Sequence, residues 1–111
     1  MLDRDREELT RATDGLAGAL AVHADISIPE DAARAIAETR AFGPIHALVN
    51  NAGVADFGPI EDHDFARWRT VMATNLDGTF LMSQAAIPAL KETRGAIVNI
   101  ASISGLRAST L

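Results

Sequence analysis

Polar and acidic side chains stand directly after short apolar runs of the sequence, where a ligand could contact them. They are Asp25 after the run at 19–24, Asn50 and Asn51 after the run at 45–49, and Ser102 after the run at 95–100. Carboxylates accept hydrogen bonds, whereas amides and hydroxyl groups both donate and accept them. These residue types favour a ligand with several hydrogen-bonding groups, such as a ribose.

The tetrapeptide Asn50-Asn51-Ala52-Gly53 combines two amides with a flexible turn. Gly53 permits a tight turn and lets a ligand approach the backbone closely. The paired Asn side chains can tie neighbouring strand ends together and offer donors to a ribose. An ordinary Asn-Gly turn has the same composition, so the tetrapeptide alone leaves both interpretations open.

Helical and strand-like segments alternate along the chain and place these residues at segment ends. Asp5 with Glu8, and Ser27 with Glu30, each match a helix capping box. Apolar residues in steps of three and four from Phe65 to Phe80 indicate a long helix. The predicted elements are a helix from Asp5 to 13–16, a strand at 19–24, a helix beginning near Pro29 with Ala32, Ala33, Ile36 and Ala37 facing inward and ending before Gly43, a strand at 45–49, a helix at 62–92 and a strand at 95–100.

Alternating strands and helices predict β-α-β units and a parallel sheet. The strands show no polar alternation, which indicates that both faces of the sheet are covered. We therefore predict an α/β fold, part of a Rossmann-like doubly wound parallel sheet, as one partial domain over residues 1–111. Ligands of such sheets bind at the carboxyl ends of the strands.

The composition excludes several other functions. The net charge of −5 argues against nucleic acid, because a phosphate-backbone binder needs the opposite charge. With no Cys and scattered His residues, no metal site is expected. No apolar run is long enough for a membrane span, and the first residues do not resemble a signal peptide. We expect a cytoplasmic protein.

The family resemblance rests on Asn50-Asn51-Ala52-Gly53, Thr74-Asn75-Leu76 and Ile97-Val98-Asn99-Ile100-Ala101-Ser102, in this order and at these separations. Together they resemble the short-chain dehydrogenase/reductase family, and the similarity extends from Asp3 to about Gly105. The resemblance implies an oxidoreductase that transfers a hydride between NAD(H) and a secondary alcohol or ketone.

The resemblance also implies a role for several residues in binding adenosine. Asp3 would accept hydrogen bonds from the ribose hydroxyl groups and repel the extra phosphate of NADP, which predicts NAD. Alternatively, Asp3 caps a helix, or Asp5 is the equivalent residue. Asp25 would accept a hydrogen bond from the adenine amine and Ile26 would pack on the ring, unless Asp25 belongs to the next helix cap. The ribose side would be lined by Asn51, Ala52 and Gly53.

By the same resemblance, the catalytic candidates are Ser102 and Asn75. Ser102 would polarise the substrate oxygen. Asn75 would bind a water of the proton relay, although it could also be a solvated helix residue. Ser104 is more simply a loop serine.

Several family elements are missing from the sequence: the Gly-rich phosphate turn, the catalytic Tyr with its Lys, and the substrate-binding half. There is no Tyr, and the single Lys, Lys91, precedes Ser102. We therefore expect a piece of a longer enzyme that is inactive alone. A second hypothesis is a non-catalytic module that associates through the helix at 62–92. A response-regulator domain is disfavoured because no strand-end Asp–Lys pair is present.

The family strand order 3-2-1-4-5 predicts a gap in the sheet between the strands at 19–24 and 45–49. Three strand spacings of about 4.8 Å would separate them by roughly 14 Å. We expect only the strands at 45–49 and 95–100 to pair in parallel, and the isolated chain to be marginally stable. The longer protein is expected to be a homodimer or homotetramer, and the isolated chain to aggregate.

Overall fold

Helices alternate with parallel strands through residues 1–105 and 107, the part of the chain that the computed structural model describes. The strands are β1 (Leu2–Asp3), β2 (Val22–His23), β3 (Ala47–Asn50) and β4 (Ala96–Asn99). The helices are α1 (Arg6–Thr13), α2 (Pro29–Phe42), α3 (Phe65–Met72) and α4 (Gly78–Thr93). Short 3-10 turns lie at Ile60–Asp62 and Ile103–Gly105, and a π-helical turn at Ala73–Asp77 joins α3 to α4.

The strands form two separate two-stranded sheets, with β1 beside β2 and β3 beside β4. The parallel pairing of β3 with β4 was predicted and is confirmed, and so is the absence of pairing between β2 and β3. The expectation that no other strands pair was wrong. Leu2–Asp3 lies beside Val22–His23 in parallel, because the backbone N–H of Ala24 reaches the carbonyl of Asp3 at 3.0 Å.

The two predicted capping boxes have different outcomes. The carboxylate of Asp5 caps α1 by accepting from the backbone N–H groups of Glu7 and Glu8 at 2.9 and 3.0 Å. The second prediction was wrong, because α2 has Ile28 at its N-cap position and no side-chain cap. Pro29 opens α2 instead, where a missing N–H leaves no hydrogen bond unmade.

The buried face of α2 consists of Ala32, Ala35 and Ile36. These positions repeat at intervals of three and four residues, as one helix face requires. The prediction that Ala33 and Ala37 face inward was wrong, since both are exposed.

The long predicted helix begins at Phe65, where Asp64 accepts a hydrogen bond from the N–H of Arg67 at 2.7 Å. Helical structure then continues to Thr93. Its second half covers the sheet, because Met82, Ala86, Ala89 and Leu90 are buried with residues of α2. Large side chains of α3, the π-helical turn and the start of α4 stay exposed: Phe65, Trp68, Leu76 and Phe80.

Only one face of the β3–β4 sheet is covered within the described residues. Leu48 and Ile97 pack on the core formed by α2 and α4. The paired residues Val49 and Val98 point the other way and are 57% and 48% exposed. The prediction of two covered faces was therefore wrong for this part of the chain, because α2 and α4 pack on the same side.

Candidate functional site

A cavity of about 310 Å³ lies at the carboxyl ends of β1, β2 and β3. Its lining includes the six residues that the sequence predicts for cofactor binding: Asp3, Asp25, Ile26, Asn51, Ala52 and Gly53. The volume is at the lower end of the range for small-molecule sites, roughly 300–1,000 Å³. The fold thus brings together residues that are up to half the chain apart in sequence.

Asp3 and Asp5 share the turn between β1 and α1, but only Asp3 lines the cavity. Asp3 Oδ1 accepts a hydrogen bond from the N–H of Asp5 at 2.9 Å, while Asp5 itself caps α1. The geometry therefore favours Asp3 over Asp5 as the residue of this site. Asp3 is exposed, so its carboxylate remains accessible to a ligand.

Both the backbone and the side chain of Asp25 are fixed by hydrogen bonds. Its N–H donates to Asp31 Oδ2 at 2.8 Å, and its Oδ1 accepts from the N–H and the hydroxyl of Ser27 at 2.9 and 2.6 Å. The hydroxyl of Ser27 lowers the pKa of Asp25 more than partial burial raises it, with smaller help from the Ser27 N–H and the charge of Arg4. A half-buried, ionised carboxylate therefore faces the cavity.

Ile26 forms an apolar wall beside Asp25 and is only 9% exposed. It packs against the start of α4 at Gly78, where a Cβ atom would lie 2.7 Å from both Cδ1 and Cγ1 of Ile26. A glycine is needed there because the helix and the Ile26 side chain approach so closely. The position of this wall is thus determined by α4.

The two ends of β3 and β4 are tied by their asparagines, as the sequence predicts. Asn50 Nδ2 donates to Asn99 Oδ1 at 2.8 Å and to Ser83 Oγ at 3.1 Å. The amide of Asn50 therefore links β3 to β4 and to α4, which holds the following residues, Asn51 to Gly53, at the cavity.

Asn75 locks the loop that follows Gly53. Its Oδ1 accepts from the backbone N–H of Val54 at 2.8 Å, and its Nδ2 donates to the carbonyl of Val54 at 2.9 Å. Asn75 lies in the π-helical turn, a feature often found at functional sites. The exposed Asn75 thus uses its amide to bond Val54, and a bound water at Asn75 stays a prediction.

Ser102 lies apart from the cavity, just after β4. It is exposed, and its Oγ accepts a hydrogen bond from the N–H of Ser104 at 3.2 Å. Nothing in the described residues orients this hydroxyl further.

Five lining residues were not predicted as site residues from the sequence: Leu2, Arg4, Ala24, Val54 and Thr74. Each is a neighbour of a predicted residue, and Thr74 also belongs to the Thr74-Asn75-Leu76 motif. Arg4 adds a positive charge beside Asp3, and Thr74 is a buried polar residue of the π-helical turn. The cavity thus combines two carboxylates, one guanidinium and an apolar wall, a set that fits the hydroxyl groups, the amine and the ring of adenosine.

Comparisons with known proteins agree with the Rossmann-like α/β fold of this site. A solved structure from Novosphingobium aromaticivorans, described as a short-chain dehydrogenase, superposes with a TM-score of 0.87 at 28% identity, over 97% of this chain and 45% of that one. The model of the short chain dehydrogenase family matches residues 1–111. The chain therefore belongs to the short-chain dehydrogenase family, a family of oxidoreductases.

The names of similar proteins refer to chemically different alcohols. Inactive 2-(S)-hydroxypropyl-CoM dehydrogenase 2 of Xanthobacter autotrophicus is 42% identical over 96% of this chain and 47% of its own length. The 3-alpha-(or 20-beta)-hydroxysteroid dehydrogenase of Mycobacterium bovis is 42% identical over 77% of this chain and 34% of its own length. Galactitol 2-dehydrogenase (L-tagatose-forming) of Cereibacter sphaeroides is 41% identical, with 95% and 42% covered. The chain thus spans less than half of each of these relatives.

Within residues 1–105 and 107, no helix is long and apolar enough to cross a membrane. The same residues contain no group of three or more His, Cys, Asp or Glu side chains that could hold a metal ion.

Proposed function

We propose that this chain forms the adenosine-binding part of an NAD-dependent short-chain dehydrogenase that acts on a secondary alcohol or ketone. The single observation that carries the proposal is the cavity lined by Asp3, Asp25, Ile26 and the Asn51–Gly53 segment. These residues come from three strand ends, which is where doubly wound parallel sheets bind their ligands. In this proposal, residues 1–111 are a partial dinucleotide-binding domain, and a cytoplasmic location stays a prediction.

Each side of the cavity would hold one part of the nucleoside. The carboxylate of Asp3 accepts hydrogen bonds from ribose hydroxyl groups, and that of Asp25 accepts one from the amine of the base. Ile26 packs on the flat face of the base. Gly53 has no side chain, so the ribose can approach its backbone closely.

Asp3 supports NAD rather than NADP, because its negative charge would repel a phosphate on the 2′ oxygen. Arg4 lines the same cavity and works in the opposite direction, since a guanidinium attracts phosphate. The carboxylate of Asp3 sits at the strand end itself, and we propose that it dominates. In titrations of the chain, NAD should bind more tightly than NADP, and Asp3→Asn should reduce the difference. Equal or tighter binding of NADP would contradict the assignment of Asp3.

The candidate reacting groups do not themselves line the nucleoside cavity: Ser102 follows β4, and Asn75 bonds to Val54 at the cavity rim. Bound NAD would supply the hydride acceptor or donor. Ser102 would donate a hydrogen bond to the substrate oxygen, and Asn75 would hold a water of the proton relay. The chain contains no Tyr to act as general acid or base, so we propose that it has no turnover alone. In a longer protein with a Tyr–Lys pair, Ser102→Ala should lower turnover at least about tenfold.

The binding proposal is testable on the chain itself by NMR. Titration with NAD should shift the amide signals of Asp25, Ile26 and the 51–54 loop, with weak affinity of about 1 mM. Asp25→Asn should weaken binding severalfold, because it removes the ionised acceptor. Asp62→Asn, the same change at an exposed residue outside the cavity, is the control. Shifts elsewhere, or equal weakening by both variants, would contradict the proposal.

A second candidate function is association, which the exposed aromatic residues of α3 and α4 support. Phe65 is 73% exposed and stacks on Trp68 with ring centroids 5.5 Å apart, and Phe80 is 59% exposed. Exposed apolar patches of this kind mark interfaces. We propose that this surface, defined by Phe65, Trp68, Leu76 and Phe80, contacts a second copy in a homodimer or homotetramer.

Sedimentation velocity over a concentration series would test this association. Phe65→Glu should shift the chain toward monomer, because it places a charge in the surface. Phe42→Glu changes a similarly exposed residue, 60% accessible, at the end of α2 and should have no such effect. A sharp monomer peak of the unsubstituted chain at micromolar concentration would count against the proposal.

A further inference from the structure

The hydroxyl of Ser27 makes a contact that its sequence context does not suggest. Ser27 and Glu30 match a capping box, yet Ile28 occupies the N-cap of α2 and no side chain caps the helix. The Ser27 hydroxyl instead donates to Asp25 Oδ1 at 2.6 Å, and the Ser27 N–H donates to the same oxygen at 2.9 Å. Ser27 therefore serves the cavity residue Asp25 rather than the helix.

The second oxygen of Asp25 is left available by this arrangement. Oδ1 is occupied twice by Ser27, whereas Oδ2 accepts no hydrogen bond from any residue that the structure describes. The backbone of Asp25 is fixed independently, since its N–H donates to Asp31 Oδ2 at 2.8 Å. Asp25 lines the cavity, so its orientation determines which groups of a ligand it can contact.

The same contact lowers the pKa of Asp25, whose carboxyl group is ionised at neutral pH. The Ser27 hydroxyl is the largest cause of the lowered pKa of Asp25, and partial burial works against it. An ionised carboxylate only accepts hydrogen bonds, whereas a protonated one also donates. At neutral pH this carboxylate therefore favours an amino group and disfavours a carbonyl oxygen at the same place.

We propose that Ser27 is a positioning and base-selecting residue: by fixing Asp25 Oδ1 it presents Oδ2 to the exocyclic amino group of adenine and disfavours a 6-oxo purine. The inference rests on the proposed nucleoside site. It goes beyond that site because Ser27 does not line the cavity and acts only through Asp25.

The binding test compares AMP with IMP, whose bases differ at the 6-position, by NMR titration of the full chain. The unsubstituted chain should bind AMP more tightly. Ser27→Ala should weaken AMP binding about fivefold and change IMP binding little, because a freed carboxylate loses its orientation. Ser27→Thr keeps the hydroxyl and should restore the preference. Thr70→Ala, which removes an exposed hydroxyl on α3 that donates to Ala66, is the control.

A second measurement needs no ligand. The pKa of the Asp25 carboxyl group, followed by ¹³C NMR, should rise in Ser27→Ala and stay low in Ser27→Thr. A purely structural role for Ser27 would not move this pKa. Should Ser27→Ala not fold, Ser27→Cys replaces it, since the thiol has a similar size and is a weaker donor.

The outcomes separate this inference from the proposed function. If the unsubstituted chain binds neither nucleotide, both fail. If it binds AMP but the AMP/IMP ratio is the same in Ser27→Ala, only the inference about Ser27 is overturned. An unchanged pKa of Asp25 in Ser27→Ala would also overturn it. The inference would be supported if Ser27→Ala lost the AMP preference and raised the pKa of Asp25, and if Ser27→Thr restored the preference.

Discussion

The cavity at β1, β2 and β3 and the end of β4 are both strand ends of parallel sheets, yet they differ in how their side chains are held. In the cavity, Asp25 accepts two hydrogen bonds from Ser27, and Asn75 makes two with Val54. At the end of β4, Ser102 is exposed and accepts one hydrogen bond, from Ser104 at 3.2 Å.

The difference teaches that a position after a strand does not by itself orient a functional group. The cavity residues are oriented because α2, α4 and the π-helical turn supply partners and walls around them. Preorganised acceptors bind more tightly, since less freedom is lost when the ligand arrives. We therefore expect the cavity residues to bind a nucleoside. Ser102 should not contribute to this binding.

The largest effect is expected from Gly95→Ala, which should disturb both regions. A Cβ atom at Gly95 would lie 2.5 Å from the carbonyl oxygen of His46 and 2.7 Å from Leu90 Cδ2. The backbone cannot yield easily, so the free energy of unfolding should fall by about 2–3 kcal/mol in urea titrations.

Gly43→Ala is the matched control, because a Cβ atom there meets nothing within 4 Å. It should change the unfolding free energy by less than about 0.5 kcal/mol. Equal effects of the two substitutions would show that the contact between β4 and the start of β3 is not close.

Asn75→Ala should act on the cavity side and leave Ser102 unaffected. It leaves the N–H and the carbonyl of Val54 without their side-chain partner, at a cost of about 1–2 kcal/mol in unfolding free energy. Asn75→Asp retains an acceptor for the N–H of Val54 but sets a carboxylate oxygen against the carbonyl of Val54, so it should also be destabilising. The direct readout is hydrogen exchange at Val54, and unchanged protection in Asn75→Ala would contradict this role.

Gly78→Ala should weaken nucleotide binding more than it affects stability. The new Cβ would lie 2.7 Å from Ile26 and push this wall of the cavity, which should lower AMP affinity about fivefold. Alanine also favours a helix over glycine by up to about 1 kcal/mol, which offsets the local crowding. Gly105→Ala, near Ser102 and with open space around it, should leave AMP affinity unchanged. An unchanged AMP affinity in Gly78→Ala would show that Ile26 does not contribute to the nucleotide site.

Lowering the pH is expected to have a smaller effect on stability. This effect should come from the carboxyl groups whose pKa is lowered by hydrogen bonds in the folded chain. The pKa of Asp56 is lowered chiefly by its hydrogen bonds with Arg67, and that of Asp25 chiefly by Ser27. A carboxyl group with a lower pKa in the folded state stabilises the fold above its unfolded value of about 3.9. This contribution is lost as the pH falls through the lower folded values.

When unfolding in urea is measured at decreasing pH, the midpoint urea concentration should therefore decrease once the pH is below about 4. Arg67→Gln should make this decrease shallower, because Asp56 then titrates closer to its ordinary range. A midpoint that is independent of pH in this range would contradict the assigned contacts.

The smallest effect is expected from Ser102→Ala in this chain. Its exposed hydroxyl makes no contact with the cavity, so stability should change by less than about 0.5 kcal/mol and AMP affinity should not change. A clear loss of AMP binding would break the distinction between the two regions, since it would place Ser102 at the nucleoside site.

Much of the fold could be predicted from local patterns. The apolar run at 45–49 and the alternation of helices and strands predict β3, β4 and their parallel pairing, which the structure confirms. The turn at Asn51–Gly53 and the strand-end position of Asp25 predict residues that do line one cavity. Such features depend on neighbouring residues and on a general rule for parallel sheets, so they are visible without coordinates.

Other features depend on which of several possible partners lies closer in space. Arg4 and Val54 line the cavity although nothing in their type or spacing marks them. The first half of the long helix carries as many large apolar residues as the second, yet only the second lies over the sheet. A period of three and four residues identifies an apolar face but not the surface that the face covers.

The sequence by itself determined that this is a parallel α/β chain with Asp25, Asn51 and Gly53 at strand ends, because strand-length runs, turns and helix periods are local properties. Only the tertiary structure decided that Ser27 bonds to Asp25 instead of capping α2, and that β1 pairs with β2. A serine hydroxyl can donate to any acceptor within about 3 Å. Which acceptor it meets depends on the packing of the whole chain.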